Sequence, residues 1–73
     1  MPVTPLLNAR EVVKIFSSFG WQVSRQSGSH IVLVKDGHVA TLSVPNHKPV
    51  ARGTLRSLIR DADLTVSEFI SAK

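Results

Sequence analysis

Apolar residues recur at helical spacing near both ends of the chain and at strand spacing between them. Val12, Phe16 and Phe19, with Val13 and Ile15 beside them, form one stripe at the 3.6-residue period. Asn8-Ala9-Arg10-Glu11 just before it has capping-box spacing, and Gly20 after it supplies a residue that tolerates a left-handed conformation. These signals predict a first helix. Pro2 and Pro5 predict an extended arm over residues 1–7. Trp21 to Gln26 alternates, which predicts a first strand with Trp21 and Val23 on one face and Gln22, Ser24 and Gln26 on the other.

Ser27-Gly28 then turns the chain into Ile31-Val32-Leu33-Val34, the least ambiguous strand in the sequence and the expected middle of a sheet. Asp36-Gly37 is the dipeptide of a two-residue type I′ hairpin, leading into a third strand from His38 to Val44. That turn would set Lys35 opposite His38 and pair His30 with Ser43. Ile31, Leu33, Ala40, Leu42 and Val44 would then lie under helices, and His30, Val32, Val34, Val39, Thr41 and Ser43 on an uncovered face. A three-residue turn would reverse that assignment, because side chains alternate strictly along a strand.

Pro45-Asn46-His47-Lys48-Pro49 reads as a loop, since its prolines deny the sheet two donors. From about Arg52 to Ala62, Leu55, Leu58, Ile59 and Ala62 share one helical face, while Arg52, Arg56 and Arg60 recur every four residues as a basic ridge. Thr65-Val66-Ser67-Glu68 is a second capping box and opens a short terminal helix carrying Val66, Phe69 and Ile70. The order helix, three antiparallel strands, helix, short helix is that of an α+β two-layer sandwich. Residues 1–73 are read as one domain.

Size narrows the function. A chain of 73 residues buries only about 60% of the surface exposed when unfolded. One thin core leaves no space for an enclosed cofactor, so function belongs on an open surface. Nine Lys and Arg against five Asp and Glu give a net charge of +4, which suits a polyanion such as nucleic acid. The absence of cysteine excludes disulfides and thiolate chemistry and fits a reducing compartment. With no signal-like amino terminus and no long apolar run, the chain is read as soluble and cytoplasmic.

The chemistry rests on histidine. His30 follows a glycine turn and faces outward, where an imidazole can help an RNA 2′-OH attack the adjacent phosphate or protonate the leaving 5′ oxygen. No metal or other cofactor is required for that reaction. No pair of histidines has ligand spacing, so no metal site is expected. Ser29 adjoins His30 along a strand and so points to the opposite face, which counts against a serine nucleophile. Arg52, Arg56 and Arg60 have two readings, a solvated helix face or a rail for successive phosphates, and Arg25 and Lys48 would extend the positive surface. His47 is a second polar histidine near the candidate site. With one tryptophan and no tyrosine, a base-stacking platform is not expected.

Gly28-Ser29-His30, Val44-Pro45-Asn46-His47 and Gly53-Thr54-Leu55-Arg56-Ser57-Leu58-Ile59, in this order and spacing, resemble the HicA family, toxins of HicA–HicB toxin–antitoxin pairs. Gly20-Trp21, Arg25-Gln26 and Glu68-Phe69 extend the resemblance over nearly the whole chain. It implies a double-stranded-RNA-binding-domain-like fold and a metal-independent endoribonuclease that cleaves mRNA. It also implies a HicB-type antitoxin that covers the site. By the same resemblance His30 is the catalytic residue and Gly28 the turn that presents it. Where the family has a glycine closing the second helix, this chain has Ala62-Asp63-Leu64, so Asp63 must take a less favoured turn or end the helix differently. Two readings from other classes stand beside this one: a non-catalytic RNA-binding module in which His30 only contacts phosphate or 2′-OH, and a protein-interaction domain using the open face.

Overall fold

The computed structural model describes residues 3–73, so Met1 and Pro2 of the expected arm lie outside the described residues. Six elements follow in order: α1 (Ala9–Ser17), β1 (Gln22–Ser27), β2 (His30–Val34), β3 (Leu42–Pro45), α2 (Arg52–Asp61) and α3 (Val66–Ser71). The strands form one antiparallel sheet in the order β1-β2-β3, with β2 central. The helices pack on one face and leave the other bare. This is the α+β, double-stranded-RNA-binding-domain-like arrangement that the sequence implied.

Both capping boxes form. The Glu11 carboxylate accepts the Asn8 backbone N–H at 3.1 Å. At α3 the pairing is reciprocal, Thr65 N–H to Glu68 Oε1 at 2.8 Å and Glu68 N–H to Thr65 Oγ1 at 3.1 Å. Gly20 takes φ +95 just past α1, as expected of it.

The core is a single layer between helices and sheet. Val12 and Phe16 of α1, Leu33, Leu42 and Val44 of the sheet, and Leu55 and Ile59 of α2 are all fully buried. Phe69 of α3 closes the edge, its ring 5.0 Å from that of Phe16, and Phe16 meets Trp21 edge-on at 6.5 Å. The arm contributes more than the pattern predicted. Leu7 is buried and forms a bridge with Val50, whose N–H donates to the Leu7 carbonyl at 2.7 Å.

The structure corrects the sequence reading of the second hairpin. β3 runs Leu42–Pro45 rather than His38 to Val44, and His30 pairs with Pro45, Ile31 with Val44, Val32 with Ser43 and Leu33 with Leu42. The turn at Asp36-Gly37 exists, with His38 N–H donating to the Lys35 carbonyl at 3.1 Å, but only Gly37 has positive φ. A type I′ turn needs both residues there. Residues 38–41 therefore leave the ladder instead of extending it. The register moves by two residues, which preserves alternation, so His30 still lies on the uncovered face.

A second correction concerns β1. Val23 pairs with Leu33 and Arg25 with Val32, so Ser24 is an extra residue and forms a β-bulge. Alternation breaks there. Beyond the bulge Arg25 and Ser27 share the bare face with His30, while Gln26 pairs with Ile31 on the helix side, opposite to the expected placement of Gln26.

Candidate active site around His30

His30 is the first residue of β2, and the turn before it is short because Ser27 pairs directly with His30 across Gly28-Ser29. Gly28 has φ +56 and Ser29 does not share that sign, the pattern of a type II′ turn, where glycine at the first position carries no steric cost. The imidazole is exposed, and among the described residues no hydrogen bond engages it. Backbone order surrounds a ring free to bind.

Two elements flank it. On the β1 side the bulge brings Arg25 diagonally across from His30, a separation of about 7–8 Å between backbone positions. On the β3 side the loop after Pro45 is stapled to the turn: Asn46 N–H donates to the Ser29 carbonyl at 2.6 Å, and His47 N–H to the Pro45 carbonyl at 2.8 Å. The His47 carbonyl in turn accepts the Ala9 N–H at 3.2 Å, joining that loop to the start of α1. The backbones of Asn46 and His47 are thus fixed beside His30, and their side chains are exposed. Lys48 follows on the same loop, also exposed.

The arginine ridge lies elsewhere. Arg52, Arg56 and Arg60 span about 12 Å along α2, in the helical layer. Arg52 begins the ridge at the His30 end, but its Nε donates to the Thr4 carbonyl at 3.0 Å, which ties it to the arm. Arg56 and Arg60 line a cleft between α2 and α3 with Ser57, Leu64 and Thr65. Arg60 also borders the hollow under residues 37–40, at the far end of β2, about 13 Å along the strand from His30. The structure therefore groups His30 with Arg25 and the Asn46–Lys48 loop, and does not bring Arg56 or Arg60 to them.

His38 has a different setting from either of the other histidines. Its ring lies 4.9 Å from that of Trp21, and its Nε2 is 3.0 Å from Asp63 Oδ2. Asp63 has φ +60 and ends α2 in the left-handed conformation that glycine would take most easily. Its N–H donates to the Arg60 carbonyl and that of Leu64 to the Ile59 carbonyl, both at 3.0 Å, the pair of bonds that defines a Schellman cap. The helix keeps its glycine-type ending without glycine.

Sequence reasoning missed two parts of this site. Nothing in Gln22-Val23-Ser24-Arg25 marks a bulge, so the face of Arg25 was not legible. Asn8 and Arg10, at the α1 start that the loop touches, carried only a capping signal. Among the described residues no three His, Asp or Glu side chains cluster as a metal site, and no helix is long and apolar enough to cross a membrane.

No curated protein matches the chain. The family model described as the HicA toxin of bacterial toxin–antitoxin matches residues 9–64, from the first residue of α1 through the cap of α2. The chain belongs to the HicA family, the toxins of bacterial toxin–antitoxin systems.

Proposed function

We propose that this toxin is a metal-independent endoribonuclease that cleaves mRNA in the cytoplasm, with His30 as its proton-transfer group. The observation that carries the reading is the exposed, uncommitted His30 ring on a turn whose backbone is held by Gly28 and by the Ser29–Asn46 hydrogen bond. In this reaction the 2′-OH loses its proton to a base as its oxygen bonds to phosphorus. The bond from phosphorus to the 5′ oxygen breaks, and that oxygen takes a proton. A 2′,3′-cyclic phosphate and a 5′-OH result. His30 serves one of the two proton transfers. His47, on the adjoining loop, or water serves the other.

Arg25 and Lys48 hold phosphates on either side of His30, where neutralising phosphate charge favours binding at low salt. Arg56 and Arg60, with Arg52 to the extent that the arm releases it, contact the RNA farther out. Residues 1–73 work as one toxin domain. A HicB-type antitoxin lies over the bare face and denies RNA access to His30.

Induction of the wild-type chain and of His30→Ala in a bacterial host, at matched protein levels, tests this. The expected result is growth arrest with mRNA fragmentation for the wild type alone. Fragmentation by both variants removes His30 from the chemistry. Salt-sensitive RNA binding by the wild type without any cleavage replaces the nuclease with a binding module.

A further inference from the structure

Next to the His30 turn the start of α1 and the loop after β3 enclose a cleft of about 420 Å³, lined by Asn8, Arg10, Glu11, Asn46 and Lys48. We propose that this cleft seats the RNA nucleotide adjacent to the scissile phosphate, with Arg10 and Lys48 on its phosphate and the Asn8 and Asn46 amides on its base edge. The inference rests on the nuclease reading and adds a sequence-reading subsite to it.

Position comes first. Pro45 is the direct partner of His30, about 5 Å away across the ladder, and Asn46 is one residue step of about 3.8 Å farther on. The cleft wall thus begins within about one nucleotide of the imidazole. Its volume lies in the range of roughly 300–1,000 Å³ typical of small-ligand sites, large enough for a base.

Chemistry comes second. The Asn46 carboxamide offers both donors and an acceptor, the complement of a base edge, while the Asn8 oxygen serves the capping box and leaves its NH2 to donate; unpaired RNA exposes those edges where a duplex hides them. Two cations beside two amides match a nucleotide: charge for the phosphate, directional groups for the base. Glu11 does not cancel this, because the two cations Arg10 and Lys48 outnumber its one carboxylate, which accepts the Asn8 N–H at 3.1 Å.

Rigidity comes third. The walls are joined by the bonds from Asn46 to Ser29 and from Ala9 to His47, and the Leu7–Val50 bridge closes the base of the loop. The backbone segments that carry the two amides are already fixed before RNA arrives, so only side-chain ordering opposes binding.

The test uses the full chain in two arms. Cleavage sites on a defined RNA are mapped for the wild type and for Asn46→Ala, whose side chain is exposed and whose backbone bonds survive the substitution. The expected result is a change of about fivefold or more in relative cleavage between sites that differ in the base next to the scissile bond. In the second arm Arg10→Ala with Lys48→Ala is placed in the His30→Ala protein, and affinity for an uncleaved RNA oligonucleotide is measured across salt. Affinity should fall by about tenfold, with a shallower salt dependence.

If the wild type cleaves and neither arm changes, the subsite is refuted while the nuclease reading stands. If the wild type neither cleaves nor binds RNA, both fall. A poly-glutamate peptide that binds the parent and is lost in the double variant, with RNA affinity unaltered, assigns the cleft to a protein partner and overturns the proposal.

Discussion

His30 and His38 stand at opposite ends of the same sheet, each beside a glycine turn, and the fold uses them in opposite ways. His38 is four-fifths buried on its side chain, packed at a 59° tilt against Trp21 and bonded to Asp63 at 3.0 Å. His30 is exposed, and among the described residues nothing hydrogen-bonds to its ring. The Asp63 carboxylate accepts, so His38 presents Nε2–H to it, and among the described residues Nδ1 is buried with no hydrogen-bond partner. One ring nitrogen is committed to Asp63 and the other is shut off from solvent, so the ring is not placed to exchange protons with RNA. Residue type alone does not mark a catalyst; the neighbours' prior claims on the ring do.

The largest effect expected from this contrast is at His30. His30→Ala should lower RNA cleavage by about 10²–10⁴-fold, the usual share of a general acid or base. Its melting temperature should match that of the wild type, since the ring makes no hydrogen bond. A single-turnover assay beside a thermal melt monitored by circular dichroism reads both quantities. A large fall in melting temperature would mean that His30 is structural after all and erase the distinction from His38.

His38→Ala should give the mirror image. Cleavage per folded molecule persists, while stability falls by about 2 kcal/mol, most of it from the lost packing on Trp21. The Asp63 contact adds less, because that carboxylate is 84% exposed and a surface pair is worth about 0–1 kcal/mol. For a domain this small the drop corresponds to about 8–16 °C in melting temperature. Loss of cleavage with an unchanged melt would place His38 in the chemistry.

The basic residues divide the same way, and charge reversal separates them. Arg25→Glu, on the His30 face, should weaken RNA affinity by about tenfold at low salt, and Arg56→Glu, in the helical layer, by about threefold. Filter binding of the His30→Ala background across salt measures both. Equal losses would mean that RNA wraps from the bare face onto α2, which would restore the arginine ridge to the site.

Much of this division was legible before the structure. The capping boxes at Asn8 and Thr65, the left-handed Gly20 and the apolar faces of α1 and α2 are local signals, and local signals survived folding. The face of His30 was also legible, though from a pairing two residues out of register; parity alone was needed, and parity held. The third strand was not legible. Asp36-Gly37 has the composition of a type I′ turn, but His38 gains more from Trp21 and Asp63 than from a ladder, and those partners are distant in sequence. The ridge period was visible while its place over the sheet was not, because helical spacing gives a face and not which end of the sheet it overlies.

The smallest effect, and the finest probe of the His38 end, is at Asp63. Asp63→Gly removes a left-handed penalty of about 1 kcal/mol. It also gives up the His38 contact and adds chain entropy to the unfolded state, which together cost a similar amount. The net change should lie within about 0.5 kcal/mol, or roughly 4 °C. Asp63→Ala keeps the penalty and loses the contact but adds no chain entropy, so it should be the less stable of the two by about 0.5 kcal/mol. Asp63→Asn tolerates the left-handed turn but is neutral, and isolates the charge. A gain of several degrees for glycine would show that the carboxylate contributes nothing and that Trp21 alone holds His38. A loss as large as that of His38→Ala would move the energetic weight of this end from the aromatic contact to the bond with Asp63.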